Sequence, residues 1–272
     1  MIFSKNDPGW LPKAIAAVGS EGYAIITDVL DAAFLERSRR ALYEARDRIA
    51  TDIGPARLAA SGEIGTLRLL FRYHPHFFDY LEIPELLALV DELISPTAIL
   101  HTQNGLILPS FEAGNQPVVF QNSFHRDFPR YLNGYRASIS VLFAIDAFND
   151  TNGATLLAPG THVRQERSSD EETRRDTVVG ICPAGAMLVF DAALWHAAGQ
   201  NVSGSDRLAI NHQFTRSWIK QQIDYVRAIG DVDIVRLPPR SRTLLGWDTR
   251  VVTSLDEYYR PPGERLYKSG QG

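Results

Sequence analysis

Two histidines and one aspartate in this chain have the types and spacing to hold a divalent metal. His125 and Asp127 stand two residues apart in Phe124-His125-Arg126-Asp127-Phe128. In an extended segment, alternate residues project to the same side, so an imidazole nitrogen and a carboxylate oxygen from this pair can reach one ion. Taken alone, a His-x-Asp pair is common by chance and reads as a solvated loop pair. His196 adds a second imidazole, after the apolar run that ends at Phe190 and a short turn. Two histidines and a carboxylate on one face of a metal leave positions for a bidentate ligand and for O2, an arrangement that suits non-haem Fe(II). Arg207 follows in Ser205-Asp206-Arg207-Leu208-Ala209-Ile210, at the start of the next strand pattern. It is either a surface partner of Asp206 or a fork that grips a carboxylate through two parallel hydrogen bonds.

These residues need strands to converge them, and the sequence supplies a change of character near Thr97. Before it the chain reads mainly as helix. Asp7-Pro8 can open a first helix. Tyr23 to Ile26 is a short apolar run suited to a strand. Asp28 or Asp31 offers a cap for a helix from Ala32 to Ile49, with Phe34, Leu35, Ala41, Leu42, Ala45 and Ile49 as its apolar stripe. Pro84 to Ile94 repeats the pattern and stops at Ser95-Pro96. Beyond Thr97 the apolar runs become short and β-branched or aromatic, at Ala98 to Leu108, Val118 to Phe124, Ala137 to Ile145, Thr155 to Ala158, Thr177 to Cys182, Ala186 to Phe190 and Leu208 to Arg216. Turn chemistry punctuates them, as in Asn149 to Gly153 and Ala158-Pro159-Gly160. The pattern predicts an α+β chain with an antiparallel jelly roll. The expected organisation is one domain over 1–272: helix-rich 1–96, a jelly-roll core over about 97–216, and an extension over 217–272 that is helical, then irregular near Leu237-Pro238-Pro239.

Composition excludes several classes of function. With 272 residues, 44% of them hydrophobic, the chain can bury a sizeable core. The single cysteine, Cys182, excludes an internal disulfide and a thiolate zinc site; its apolar surroundings predict a buried structural thiol. A net charge of −4, with basic residues scattered, gives no footprint for nucleic acid or anionic lipid. No run reaches the length of a membrane span, and Met1 to Pro8 lacks the features of a secretory signal. The expectation is a soluble, cytoplasmic protein whose partner is a small molecule, with no nucleic acid and no membrane. There is no Gly-x-Ser-x-Gly elbow and no Walker loop to support a hydrolase or nucleotide-binding reading.

The ordered set of motifs resembles the phytanoyl-CoA dioxygenase family of Fe(II)/2-oxoglutarate enzymes. Glu21 to Ile26 looks like the family's first strand, and Phe124 to Asp127 matches its His-x-Asp motif. Asn152-Gly153 through Pro159-Gly160-Thr161-His162 looks like its Asn-Gly to Pro-Gly-Ser-His stretch, with Thr161 in place of the usual Ser. Trp195-His196 and Arg207 match the spacing of its distal ligand and oxoglutarate-binding arginine. The likeness runs from about Gly22 to Arg216. It implies a cupin-like double-stranded β-helix core with N-terminal and C-terminal helical additions. It implies that His125, Asp127 and His196 bind Fe(II) and form the catalytic centre. The co-substrate 2-oxoglutarate would chelate the metal and pair its far carboxylate with Arg207, and O2 would be consumed with release of succinate and CO2. Gln121, Asn104 and Thr155 are further candidates for oxoglutarate contacts, each also readable as an ordinary strand polar group. The implied reaction is hydroxylation of an unactivated C–H bond of a small molecule, with secondary metabolism as the expected setting. Desaturation, epoxidation or cyclisation at the same centre is the alternative, and a non-catalytic metal-binding β-helix module is a third reading that Arg207 argues against. Halogenating relatives lack the carboxylate ligand, so Asp127 points away from halogenation.

Other residues are set apart from the centre. His74-Pro75-His76 has ligand-like spacing, but its Pro and the following Phe77-Phe78 suggest packing. His162 is expected to stabilise its turn, and strand alternation could turn His212 either way. Trp195, Phe111, Phe128, Arg130, Tyr131, Tyr135, Arg216 and Trp218 could wall a substrate pocket or fill the core. Segments 58–66 and 162–176, the second densely charged, are suited to close over a site or to serve as plain connectors.

Overall fold

The computed structural model describes residues 1–63, 65–112, 122–166 and 169–266. Strand β1 (Ile2–Ser4) leads into helix α1 (Trp10–Ser20) and strand β2 (Tyr23–Thr27). Helix α2 (Ala32–Ile53) follows; the Asp31 carboxylate accepts the Phe34 amide at 2.7 Å and caps its first turn. Its buried face is Ser38, Ala41, Leu42, Ala45 and Ile49, a helical stripe with exposed charged residues opposite. Short helix α3 (Pro55–Ala60), strand β3 (Thr66–Arg68) and helices α4 (His76–Asp79) and α5 (Pro84–Leu93) complete the first part of the chain. Pro84 sits at the start of α5, where its missing N–H is harmless.

The strand-rich part contains β4 (Ile99–Leu108), β5 (Ser138–Ala144), β6 (Thr155–Leu157), helix α6 (Asp170–Arg175), β7 (Val178–Val179), β8 (Met187–Asp191), β9 (His196–Ala198) and β10 (Arg207–Thr215). Four short helices end it: α7 (Tyr225–Ile229), α8 (Asp231–Ile234), α9 (Pro239–Leu244) and α10 (Leu255–Tyr258). The large sheet has seven strands in the order β1-β2-β8-β5-β10-β4-β3, antiparallel except for the β1–β2 pair. A second sheet has the order β7-β6-β9. Among the described residues neither sheet closes into a barrel, so the fold is mixed α+β with two separate sheets and helices at both ends.

Two expectations about the elements need revision. The helix-rich first part supplies three strands to the large sheet, and β1 and β3 have no period-two run long enough to be seen in sequence. The run at Thr177 to Cys182 pairs as a strand only at Val178 and Val179, with Cys182 held in an isolated bridge to Phe148. Most of the run at Val118 to Phe124 lies outside the described residues.

The large sheet separates two apolar clusters. The larger lies between the sheet and the helices and includes Leu42, Phe77, Tyr80, Leu86, Phe143 and Phe214. The smaller lies on the opposite face, where Leu142, Leu188 and Phe190 of the large sheet meet Leu157 of the small one. Burying each such side chain contributes about 1.5–3 kcal/mol, so both faces are tightly specified. A one-residue register slip would exchange them. Cys182 is buried in the smaller cluster, and desolvation pushes its thiol up to about 11, which makes it inert at neutral pH. Among the described residues no helix is long and apolar enough to cross a membrane.

Candidate metal centre and co-substrate pocket

His125 and His196 face each other through an isolated antiparallel bridge. The His125 amide donates to the His196 carbonyl at 2.9 Å, and the His196 amide returns the bond at 3.0 Å. This places the two rings 4.3 Å apart. Asp127 comes in beside them, with Oδ1 at 3.7 Å from each Nε2. One ligand-type atom from each residue lies within 4.8 Å of the others. The distance in sequence between Asp127 and His196 is thus bridged by backbone pairing, which side-chain spacing alone does not show.

The surroundings fix which atoms face the common centre. His125 Nδ1 lies 2.9 Å from the Ser123 carbonyl, and His196 Nδ1 lies 3.0 Å from the Leu194 carbonyl. Carbonyls only accept, so each Nδ1 carries the proton and each Nε2 presents a lone pair. Burial and the neighbouring His196 hold His125 down to about 4, so its ring is neutral at physiological pH. The Ser140 hydroxyl donates to Asp127 Oδ2 at 2.5 Å and leaves Oδ1 turned to the histidines. Oriented imidazoles and a carboxylate held from behind are the supports a metal site uses. The donor set fits a divalent ion with open positions, Fe(II) among them.

Arg126, between the two ligand candidates, points away from the centre. Its guanidinium donates to the carbonyls of Thr161 and Arg164 at 2.7 and 2.6 Å and lies 4.9 Å from the Trp195 ring. It therefore fastens the turn after β6 and the residue before His196 to the segment that carries His125 and Asp127.

A cavity of about 630 Å³ opens over the triad, within the size range of small-molecule sites. Its floor follows from the sheet register. Thr102, Gln213, Ser140 and Phe190 form one cross-strand row; Asn104, Asn211 and Leu142 form the next. Directly paired residues share a face, so Asp127 rests on the first row through Ser140. Arg207 begins β10 opposite Leu108, four register pairs and so two same-face rows beyond Asn211. Its side chain is 4% exposed. Nη2 donates to the Gly153 carbonyl at 3.0 Å, and the guanidinium lies 4.6 Å from the Phe148 ring centre. Nε and Nη1 are buried without a partner. Burial lowers Arg207 to about 10, which leaves it a cation at neutral pH. A buried cation with two unsatisfied donors on a cavity wall is a costly arrangement unless an anion completes it.

Gly153 is required where it stands. Its φ of 80° is left-handed, and a Cβ there would lie 2.4 Å from Leu108 Cδ2. Asn152 holds the turn by donating to the Ala147 carbonyl at 2.7 Å and accepting the Asn149 amide at 2.9 Å. The Asn-Gly pair thus presents the carbonyl that orients Arg207.

Of the other sequence candidates, Thr155 and Asn104 line the same cavity. Asn104 Oδ1 already accepts from Arg68 at 2.7 Å and Thr102 at 3.1 Å. Gln121 lies outside the described residues. The aromatic candidates do not wall this cavity. Among the described residues its aromatic wall is Phe190, while Phe128, Tyr131 and Tyr135 line a separate pocket of about 120 Å³. Thr66, from the first of the two segments suited to close the site, lines the cavity, and no described residue of 162–176 does. His76 is bound by Ser38 at 2.9 Å and Asp79 at 2.8 Å, and His162 by the Gly19 carbonyl at 3.1 Å, so both are structural. Ser140 escaped the sequence reading; its signal was a pair of hydroxyls, Ser138 and Ser140, at alternate positions in a strand that is wholly buried and apolar elsewhere.

The comparisons with known proteins agree with this geometry. Residues 19–209 match the family model described as phytanoyl-CoA dioxygenase (PhyH), and the chain belongs to that family. Enzymes of this family use Fe(II) and 2-oxoglutarate, and this member of it is an oxygenase. An uncharacterised protein of Mycobacterium tuberculosis is 57% identical over 94% of both chains. Dioxygenase olcK of Penicillium canescens is 31% identical over 58% of this chain and 50% of its own. Among solved structures, a non-haem monooxygenase, ThoJ in complex with nickel, superposes with a TM-score of 0.56 at 20% identity, covering 78% of this chain and 80% of its own. That likeness establishes the shared fold.

Proposed function

We propose that this protein is an Fe(II)- and 2-oxoglutarate-dependent oxygenase that hydroxylates a C–H bond of a small molecule. His125 Nε2, His196 Nε2 and Asp127 Oδ1 would hold the iron. The observation that carries the oxoglutarate assignment is Arg207, buried, cationic and missing two hydrogen-bond partners on the wall of the cavity that contains the triad. A dicarboxylate answers both features at once: one end can chelate a metal, and the other can meet the guanidinium fork. The bound iron supplies the redox chemistry by which O2 is consumed and oxoglutarate becomes succinate and CO2.

The protein's own share is positioning. The paired backbone of His125 and His196 sets the separation of the two imidazoles, and the Ser123 and Leu194 carbonyls keep their Nδ1 atoms protonated. Asp127 offsets part of the metal's charge while Ser140 prevents its carboxylate from rotating. The Gly153 carbonyl holds the Arg207 guanidinium, which would pair with the far carboxylate of oxoglutarate. We read the whole chain as one catalytic unit, because β2 and β3 from its first part complete the sheet that carries the site.

The test is O2-dependent formation of succinate from 2-oxoglutarate by the Fe(II)-loaded protein, with His196→Ala alongside. The parent is expected to form succinate; the variant is expected to lose Fe(II) affinity by more than about 100-fold, beyond the usual effect of an outer support. Fe(II)-independent succinate formation, or a variant that binds iron as tightly as the parent, would overturn the assignment.

A further inference from the structure

The three ligand candidates come from two stretches of chain, one carrying His125 and Asp127 and the other His196. The isolated bridge between His125 and His196 joins these stretches through one residue pair. One pair of backbone bonds sets a separation but leaves the stretches free to twist about it. A metal site needs its ligands held in orientation as well as distance.

A second tie lies off the bridge and runs through Thr161, a buried residue that follows Gly160 in the turn after β6. Strand β6 pairs with β9 in a register that sets Leu157 against His196, so Ala158 and Trp195 come next in the ladder. The Ala158 amide donates to the Trp195 carbonyl at 2.9 Å. The return bond is relayed: the Trp195 amide donates to Thr161 Oγ1 at 3.0 Å, and that hydroxyl donates to the Ala158 carbonyl at 2.7 Å. A hydroxyl suits this place because it accepts and donates at once. The Thr161 carbonyl in turn accepts from Arg126 Nη2 at 2.7 Å. Nη2 also reaches the Arg164 carbonyl at 2.6 Å, and Nη1 approaches the Gln165 carbonyl at 3.4 Å, while Nε is buried with no partner. The Gln165 side chain extends the contact, accepting the Tyr131 amide at 2.8 Å and donating to the Pro129 carbonyl at 3.3 Å. Arg126 stands between His125 and Asp127, and Trp195 directly precedes His196. Thr161 is therefore hydrogen-bonded to a neighbour of the ligands on each stretch, through two different groups.

Resting on the assignment of the metal to His125, Asp127 and His196, we propose that Thr161 is a positioning residue of the metal centre. Its hydroxyl and carbonyl form, with Arg126, a brace in series that keeps His196 aligned with His125 and Asp127. Asp127 has separate support from Ser140, so the brace acts on the orientation of His196 relative to the other two. Residues 161–165 are thereby part of the frame of the site.

The experiment begins with anaerobic calorimetric titration of the metal-free parent with Fe(II). A parent that binds no Fe(II), or a His196→Ala variant that binds it as tightly as the parent, rejects the metal assignment itself. Given that site, Thr161→Val, which keeps the shape and removes the hydroxyl, is expected to weaken Fe(II) binding about 10- to 100-fold, the usual effect of losing an outer support. It should also alter the visible ligand-field spectrum of the Co(II)-loaded protein. Thr161→Ser keeps the hydroxyl and should restore both. Affinities are compared at a temperature where near-ultraviolet circular dichroism shows each metal-free protein folded. Leu89→Ala, which opens a cavity in the core under the helices, lowers stability without touching the brace, and its Fe(II) affinity should match the parent's within about twofold. Arg126→Met cuts the brace at its other end and decides the matter should Thr161→Val not fold. Removing a cation beside a dication by itself favours binding, so a weaker affinity there reports the broken tie. Two cuts in one series tie do little more than one, so the double variant should bind Fe(II) within about twofold of the weaker single variant. Parent-like affinity in both brace variants, a loss in Leu89→Ala equal to that in Thr161→Val, or single effects that multiply in the double variant would each overturn the proposal.

Discussion

Strand β10 shows two different ways of burying polar groups on the two faces of one sheet. Arg207, Ala209, Asn211 and Gln213 face the cavity or the smaller core; Leu208, Ile210, His212 and Phe214 face the helices. On the helix side His212 is fully buried, hydrogen-bonded to Gln103 at 2.7 Å and ringed by Tyr80, Phe143 and Phe214. Its Nδ1 also lacks a partner, yet it meets aromatic edges and lines neither of the two cavities described above. On the cavity side, the guanidinium of Arg207 is missing two hydrogen-bond partners in the wall of a cavity that also holds the triad. A buried histidine or an orphaned atom is therefore weak evidence for a site by itself. The combination with a cavity and a converging ligand set is what separates the two faces.

The strongest way to sharpen that contrast is Arg207→Met. Removing the guanidinium should weaken oxoglutarate binding by about 2–5 kcal/mol, a factor of roughly 30 to several thousand. Fe(II) binding should remain. Without oxoglutarate the variant should melt no lower than the parent, because an incompletely paired buried cation has been removed. Calorimetry and thermal melts with and without oxoglutarate check both halves. Unchanged oxoglutarate affinity would assign the anchor to a different cation. The next effect in size is Ser140→Ala, which leaves Asp127 Oδ2 without its donor. Fe(II) affinity should fall about 10- to 100-fold, and oxoglutarate affinity measured at saturating iron should change little. An unchanged iron affinity would show that Asp127 is held by other means.

The site was more legible in the sequence than its supports, and the reason is physical. Ligand and anchor residues are chemically rare types at constrained spacings, so His125, Asp127, His196 and Arg207 stand out even without a structure. The family model and the position of these side chains around one cavity agree with the resemblance drawn from them. Ser140 is a common residue type whose meaning comes from cross-strand register, which one sequence does not encode locally. The aromatic residues near the His-x-Asp segment were visible but misleading as a wall, since Tyr135 stacks on Trp218 at a separate surface and Trp195 packs under Arg126. In the fold, the long helices and strands α2, α5, β4, β5 and β10 carried clear periodicity. The short strands β1 and β3 are strands only because the sheet edge offers them partners.

The smallest effect tests the other face, through His212→Gln. Gln keeps a partner for Gln103 and removes the only titratable group at that point. Burial lowers His212 to about 3, against an ordinary value of 6.5, so it is neutral in the folded chain and takes up a proton on unfolding once the pH falls below 6.5. Its stability contribution is fully present above pH 6.5 and is lost progressively as the pH falls toward 3. Over that window the group adds a slope approaching 1.4 kcal/mol per pH unit, about one proton's worth. Burial also lowers His76, His101 and His125, but these remain in both proteins, so the difference between their slopes isolates His212. Urea unfolding of the metal-free parent and variant at pH 8.5, 7.5, 6.0 and 5.0 should give matching pH dependence above 6.5 and a shallower acid loss for the variant. Fe(II) affinity at pH 7.5 should agree within about twofold, as expected for a change on the sheet face away from the metal. Identical acid slopes would mean that His212 is solvated or charged in the folded protein, and a loss of iron affinity would mean that the sheet transmits more between its faces than their packing suggests.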